Sequence, residues 1–210
     1  MLKIICKKSE RRYFTAQVKK MIKELEKFFG YKFDSNAQLK VVYARAEMDK
    51  ALKTKTLPWM VGCAHKGNIL IFSPSVLEKV SPHHVKDLPY LLKHEISHIF
   101  SEKFPKQPKW ISEGLAGYTA GQYDPDKRPK IKKLSEIHYK KGWNKYRLYQ
   151  FAYFAVKYLV EKYGKKKLFY LMSETSIDMP FKKFDKTFRQ VYGFSVNNFS
   201  KLLEKKLKRK

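Results

Sequence analysis

His94-Glu95-Ile96-Ser97-His98 are the residues of this chain whose types and spacing could do chemistry. The surrounding segment, Leu91 to Phe100, reads as a helix, and helical residues four apart share a face. His94 and His98 therefore point the same way and could hold one zinc ion. Glu95 sits one step round, placed to take a proton from a water that the metal activates. The bland alternative is two solvated histidines and a surface glutamate on an ordinary helix. The flanking Leu91, Leu92, Ile96, Ile99 and Phe100 speak against it, because they make the helix mostly buried. A buried His-Glu-His cluster needs partners, since unpaired charge in a core is costly, and a metal ion supplies one.

A catalytic zinc takes three protein ligands and leaves a position open. Glu113, in Lys109-Trp110-Ile111-Ser112-Glu113-Gly114-Leu115-Ala116-Gly117-Tyr118, is the candidate third ligand. It falls on a second expected helix after the short loop from Lys103 to Pro108, and Pro108 or Ser112 marks the start of that helix. Gly114, Ala116, Gly117 and Ala120 are small and allow close approach. The alternative reading makes Glu113 a first-turn glutamate favoured by the helix dipole.

The combination of H-E-x-x-H, a short loop and Trp110-Ile111-Ser112-Glu113-Gly114 resembles the gluzincin metallopeptidases. It is most similar to the small peptidase-MA-like group related to thermolysin and the zinc aminopeptidases. Weaker pattern-level similarity covers roughly residues 38 to 205, from the strand Gln38–Tyr43, through Trp59–Ala64 and Asn68–Pro74, to Tyr149–Leu159 and Phe184–Phe199. The resemblance implies a zincin-like fold with the active-site cleft between a sheet-bearing part and a helical part. It implies one zinc ion on His94, His98 and Glu113, Glu95 as general base, and a tyrosine that donates to the oxyanion. Tyr149 is the first choice for that tyrosine and Tyr153 the second, and helix packing is the alternative role for each. Substrate, a peptide or an unfolded protein, is expected extended along a strand edge near Val61–Ala64 or Ile69–Phe72. No residues that would grip a substrate amino terminus are seen, so an endopeptidase is expected. One departure stands out. Thermolysin-like enzymes carry an acid four residues after the glutamate ligand, orienting a zinc histidine, and here that position is Gly117.

The elements that must position these residues follow from periodicity. A helical stripe runs over 10–29 and ends at Gly30. Strands are expected at 2–7, 38–44, 58–64 and 68–73, the last two around the turn His65-Lys66-Gly67-Asn68. Short helices follow at 45–52 and 73–79. Asp87 is expected to cap the zinc helix, 88–102, with Pro89 in its first turn. Further helices are expected at 109–122, 145–163, 165–173, 180–191 and 195–209. The fold class is therefore α+β in one domain, 1–210: a small mixed sheet with helices over 1–81, then a mainly helical part over 82–210 that carries the zinc site.

Of 210 residues, 43% are hydrophobic and 15% aromatic, which argues for a folded globule rather than a disordered chain. No apolar run is long enough to span a bilayer, and the N-terminus lacks the apolar core of a secretion signal. Cys6 and Cys63 make no disulfide framework or zinc spacing and read as small buried hydrophobes, so a reducing cytoplasm is the expected location. Forty-six Lys and Arg against 19 Asp and Glu leave a net charge of +27. Such a field attracts nucleic acid, anionic membrane or acidic protein. The lysines are scattered, densest over Lys127–Lys141 and the tail Lys201–Lys210, and no nucleic-acid-reading module is seen. A solvated, solubilising surface is the favoured reading. The basic loop Asp124–Trp143 is placed to act as a lid. His65, His83, His84 and His138 have no ligand spacing and read as surface or loop residues. Three functions compete: an active zinc peptidase, a nucleic-acid-associated metalloprotease, and an inactive zinc-binding protein of the same fold.

Overall fold

The computed structural model describes residues 2–34, 36–65, 67–122, 133–138 and 148–208. The chain is α+β and divides into two compact units, Met1–Phe100 and Ser101–Lys210.

The first unit is built on a four-stranded sheet of order β1-β2-β4-β3, with β1 at Lys3–Ile5, β2 at Gln38–Val42, β3 at Gly62–His65 and β4 at Asn68–Phe72. Strands β1, β2 and β4 run parallel, and β3 returns antiparallel to β4. The edge next to the candidate site is therefore β3 alone, while β4 is paired on both sides. Ile69–Phe72 thus offers no edge for strand addition. Helix α1, Lys8–Phe29, forms because Phe14, Val18, Met21, Leu25 and Phe29 recur at helical spacing and bury one face. Each such burial contributes about 1.5–3 kcal/mol. Gly30, at φ 82, ends the helix in the left-handed conformation that glycine adopts without strain.

The strand expected from residue 58 begins only at Gly62, and Arg45 explains why. Arg45 opens helix α2, Arg45–Leu52. Its guanidinium donates to the carbonyls of Leu57 (2.9 Å), Pro58 (2.9 Å) and Met60 (3.2 Å), and to the Val80 carbonyl. Carbonyls held by that fan are not available to a sheet ladder. Asp49 fastens the start of the same loop by accepting from the Thr56 N–H at 2.8 Å. The Thr56 hydroxyl and amide hold its carboxyl below the usual range.

Helix α3, Pro74–Val80, is capped by Ser73, whose hydroxyl accepts from the Ser75 N–H. Asp87 does not cap the helix that carries His94 and His98. Its carboxylate accepts from the His84 N–H at 3.0 Å and closes a 3₁₀ turn over Val85–Asp87, from which helix α4, Leu88–Ser101, continues directly. Helix α4 belongs to the sheet-bearing unit, so that unit runs past residue 81. Phe29 stacks on Phe100 at 5.2 Å, the Tyr31 hydroxyl donates to the Phe100 carbonyl, and Lys93 meets Glu24 at 2.6 Å. Burial pushes the Tyr31 phenol up to about 12.

The second unit is helical: α5 at Lys109–Ala120, α6 at Leu134–Ile137, α7 at Leu148–Tyr163, α8 at Lys165–Glu174, α9 at Phe181–Tyr192 and α10 at Val196–Lys208. Its core includes an aromatic cluster of Trp110, Phe184, Phe188 and Phe199. Gln107 ties the entry to α5 to the end of α8, with its amide donating to the carbonyls of Met172 and Thr175, each at 2.8 Å. His138 is not a surface residue. It is fully buried against Phe181 and Phe184, and burial pushes its pKa down to about 4. The loop Tyr123–Pro129 and most of the basic segment Asp124–Trp143, expected as a lid, lie outside the described residues. Cys6 and Cys63 are half-buried rather than core residues. Among the described residues, no helix is long and apolar enough to cross a membrane.

Candidate metal centre

Helix α4 presents two faces. Leu88, Leu92, Ile96, Ile99 and Phe100 are buried. His94, Glu95 and His98 lie on the other side and are half-buried. The two imidazoles meet at Nε2–Nε2 3.1 Å, with their rings edge to face. Two donors of a tetrahedral zinc site with bonds of about 2.0–2.1 Å stand about 3.3 Å apart, so this spacing suits one shared cation. Two neutral Nε2 lone pairs facing each other at that distance repel unless a proton or a metal lies between them.

Glu113 is on α5, which starts at Lys109 behind Pro108 rather than at Ser112. One ligand atom each from His94, His98 and Glu113 lies within 4.8 Å of the other two, a group that could hold a metal ion. Two imidazoles and one carboxylate are a donor set that zinc accepts, and three protein ligands leave a coordination position for water.

Glu95 is held by the sheet. Its Oε2 accepts the Ala64 main-chain N–H at 2.7 Å, the short length of a charge-assisted bond. Gly62 lies against the same side chain, and a Cβ there would stand 3.1 Å from Glu95 Cγ and 3.3 Å from Oε1. Gly62 and Ala64 escape a search of the sequence for chemical residue types, since neither side chain carries a functional group. The available signal was a glycine within a strand pattern, a mark of close approach.

Within the second unit, α5 and α7 touch through glycines. A Cβ at Gly114 would lie 2.5 Å from the Ala152 carbonyl oxygen and 2.5 Å from Val156 Cγ2. A Cβ at Gly117 would lie 2.5 Å from Tyr153 Cδ2. The position at which the resembled enzymes carry an acid is thus covered by the ring of Tyr153, which is buried and 6.5 Å from the ring of Tyr118. The Tyr118 phenol is raised by burial first and by the Glu161 carboxylate second. Tyr149 is half-buried on α7, with Lys109 Nζ 5.9 Å from its ring centre.

No model of a known protein family matches the chain, and no curated protein matches it.

Proposed function

We propose that the protein is a zinc-dependent metallopeptidase of zincin-like fold that hydrolyses internal peptide bonds. The observation that carries this reading is the convergence of His94, His98 and Glu113 within 4.8 Å beside a glutamate that the edge strand already orients. His94 Nε2, His98 Nε2 and a Glu113 carboxylate oxygen would hold the ion. Zinc bound there supplies a lowered water pKa and a polarised scissile carbonyl.

The remaining steps belong to the chain's own groups. Glu95 accepts the proton of the attacking water and delivers it to the departing amine nitrogen. The Tyr149 hydroxyl is the proposed donor to the oxyanion. An extended peptide or unfolded protein lies along β3, the free edge beside the site, and shares that edge with the Glu95 carboxylate.

The experiment pairs metal content with turnover. Wild-type protein should bind one zinc per chain, and His98→Ala should lose it. Glu95→Gln should keep zinc while its cleavage of an unfolded protein falls by about a hundredfold or more. Undiminished cleavage by Glu95→Gln would sink the mechanism. Stoichiometric zinc with no cleavage of varied substrates would instead support an inactive zinc-binding protein.

A further inference from the structure

The strand beside Glu95 does more than form an edge. The register of β3 on β4 pairs Cys63 with Leu70, Ala64 with Ile69 and His65 with Asn68, and the Phe72 N–H donates to the Val61 carbonyl. In an antiparallel pair, ladder bonds fall on alternate residues. They therefore lie at 61, 63 and 65, and the N–H of Ala64 faces away from β4. An outward N–H on an edge strand is a group the fold must either leave to water or use. Here it is used, and its acceptor is Glu95 Oε2 at 2.7 Å.

Gly62 and Ala64 are two apart and share one face of the strand. The missing side chain at 62 leaves the space that the stem of Glu95 fills, with 3.1 Å to Cγ and 3.3 Å to Oε1 from where a Cβ would be. One position thus supplies a donor and the other supplies room. The loop entering β3 is itself fixed by Arg45 through three carbonyls between Leu57 and Met60.

Resting on the peptidase reading, we infer that the β3 main chain is the positioning element of the general base: the Ala64 N–H and the bare face of Gly62 hold the Glu95 carboxylate ready before substrate arrives. A glutamate has three side-chain torsions, and a base that must be ordered during each turnover loses rate. Ala64 acts through Glu95 and touches no reacting atom, so its removal should lower kcat and leave KM and zinc binding alone.

Two readouts test this, one of them free of both metal and activity. In metal-free protein, hydrogen exchange followed by NMR should show the Ala64 amide protected. Glu95→Ala should speed its exchange about tenfold or more while the ladder amides of Cys63 and His65 keep theirs. Equal Ala64 exchange in the two proteins overturns the inference. In zinc-loaded protein, the α-hydroxy analogue of alanine at position 64 replaces the Cys63–Ala64 amide by an ester and deletes this N–H. It should lower kcat about tenfold, with KM within about twofold and zinc stoichiometry kept, and it should have no further effect in Glu95→Gln. Gly62→Ala should lower kcat in the same way. An ester variant with wild-type kcat, beside an inactive Glu95→Gln, overturns the positioning role alone. A fully active Glu95→Gln overturns the peptidase reading and this inference with it.

Discussion

Gly62 and Gly114 each lie against an element that bears a candidate site residue, and they do so with different tolerances. A Cβ at Gly62 meets the stem and carboxylate of Glu95 at 3.1 and 3.3 Å. Side-chain atoms can move by a few tenths of an ångström, so a methyl group there would disturb geometry rather than folding. A Cβ at Gly114 meets the Ala152 main-chain oxygen at 2.5 Å. A helix backbone has no such freedom, so the same methyl group must push α5 and α7 apart. The first unit thus holds Glu95 by an adjustable polar contact, and the second packs the helix of Glu113 by rigid backbone apposition. Packing of that kind puts stability at risk, whereas the polar contact, on the proposed peptidase reading, puts rate at risk.

The largest expected effect tests that contrast directly. Gly114→Ala should destabilise the protein by about 2–3 kcal/mol in urea unfolding, even though alanine is the better helix former, whereas Gly62→Ala should cost about 0.5 kcal/mol or less. Equal losses would break the comparison. Gly117→Asp comes next. It restores the acid of the resembled enzymes where the Tyr153 ring lies 2.5 Å from the added Cβ. It should cost about 2 kcal/mol and leave zinc affinity no tighter in a competition titration with a chelator. Tighter zinc binding would show that the Tyr153 ring yields as readily as the Glu95 stem.

The smallest effect separates the two units by acidity. His138 is buried in the second unit with its pKa pushed down to about 4 from 6.5. A depressed histidine pKa means that the folded state disfavours the proton. Its contribution to stability is intact above pH 6.5 and is lost progressively as pH falls toward 4. The loss should reach about 1–2 kcal/mol by pH 5.5, measured against pH 8. His138→Phe should flatten that part of the curve. An unchanged curve would mean that the buried ring does not set the acid sensitivity of the helical unit.

Much of the molecule was legible along the chain. The stripe Phe14, Val18, Met21, Leu25, Phe29 predicts α1, and Gly30 predicts its end, because both are local rules of helix geometry. The α2 span, Arg45–Leu52, was read correctly, and most other helices fell within a few residues of their ends. The late start of β3 was not legible, because it depends on Arg45 reaching carbonyls 12 to 15 residues away. The burial of His138 was missed for a similar reason. Its neighbours Phe181 and Phe184 are more than forty positions distant, and no local pattern announces them.

The same division runs through the candidate site. The spacing of His94 and His98 determined by itself that both imidazoles share a helix face, because 3.6 residues per turn leaves no other outcome. The identity of Glu95 and Glu113 likewise set which groups could carry a proton or hold a metal. Only the tertiary structure decided that Ala64 grips Glu95 and that Tyr153 fills the space over Gly117. A main-chain N–H is the same in every non-proline residue, and a glycine's empty space has no chemical type. What each of them does is fixed by what packs against it.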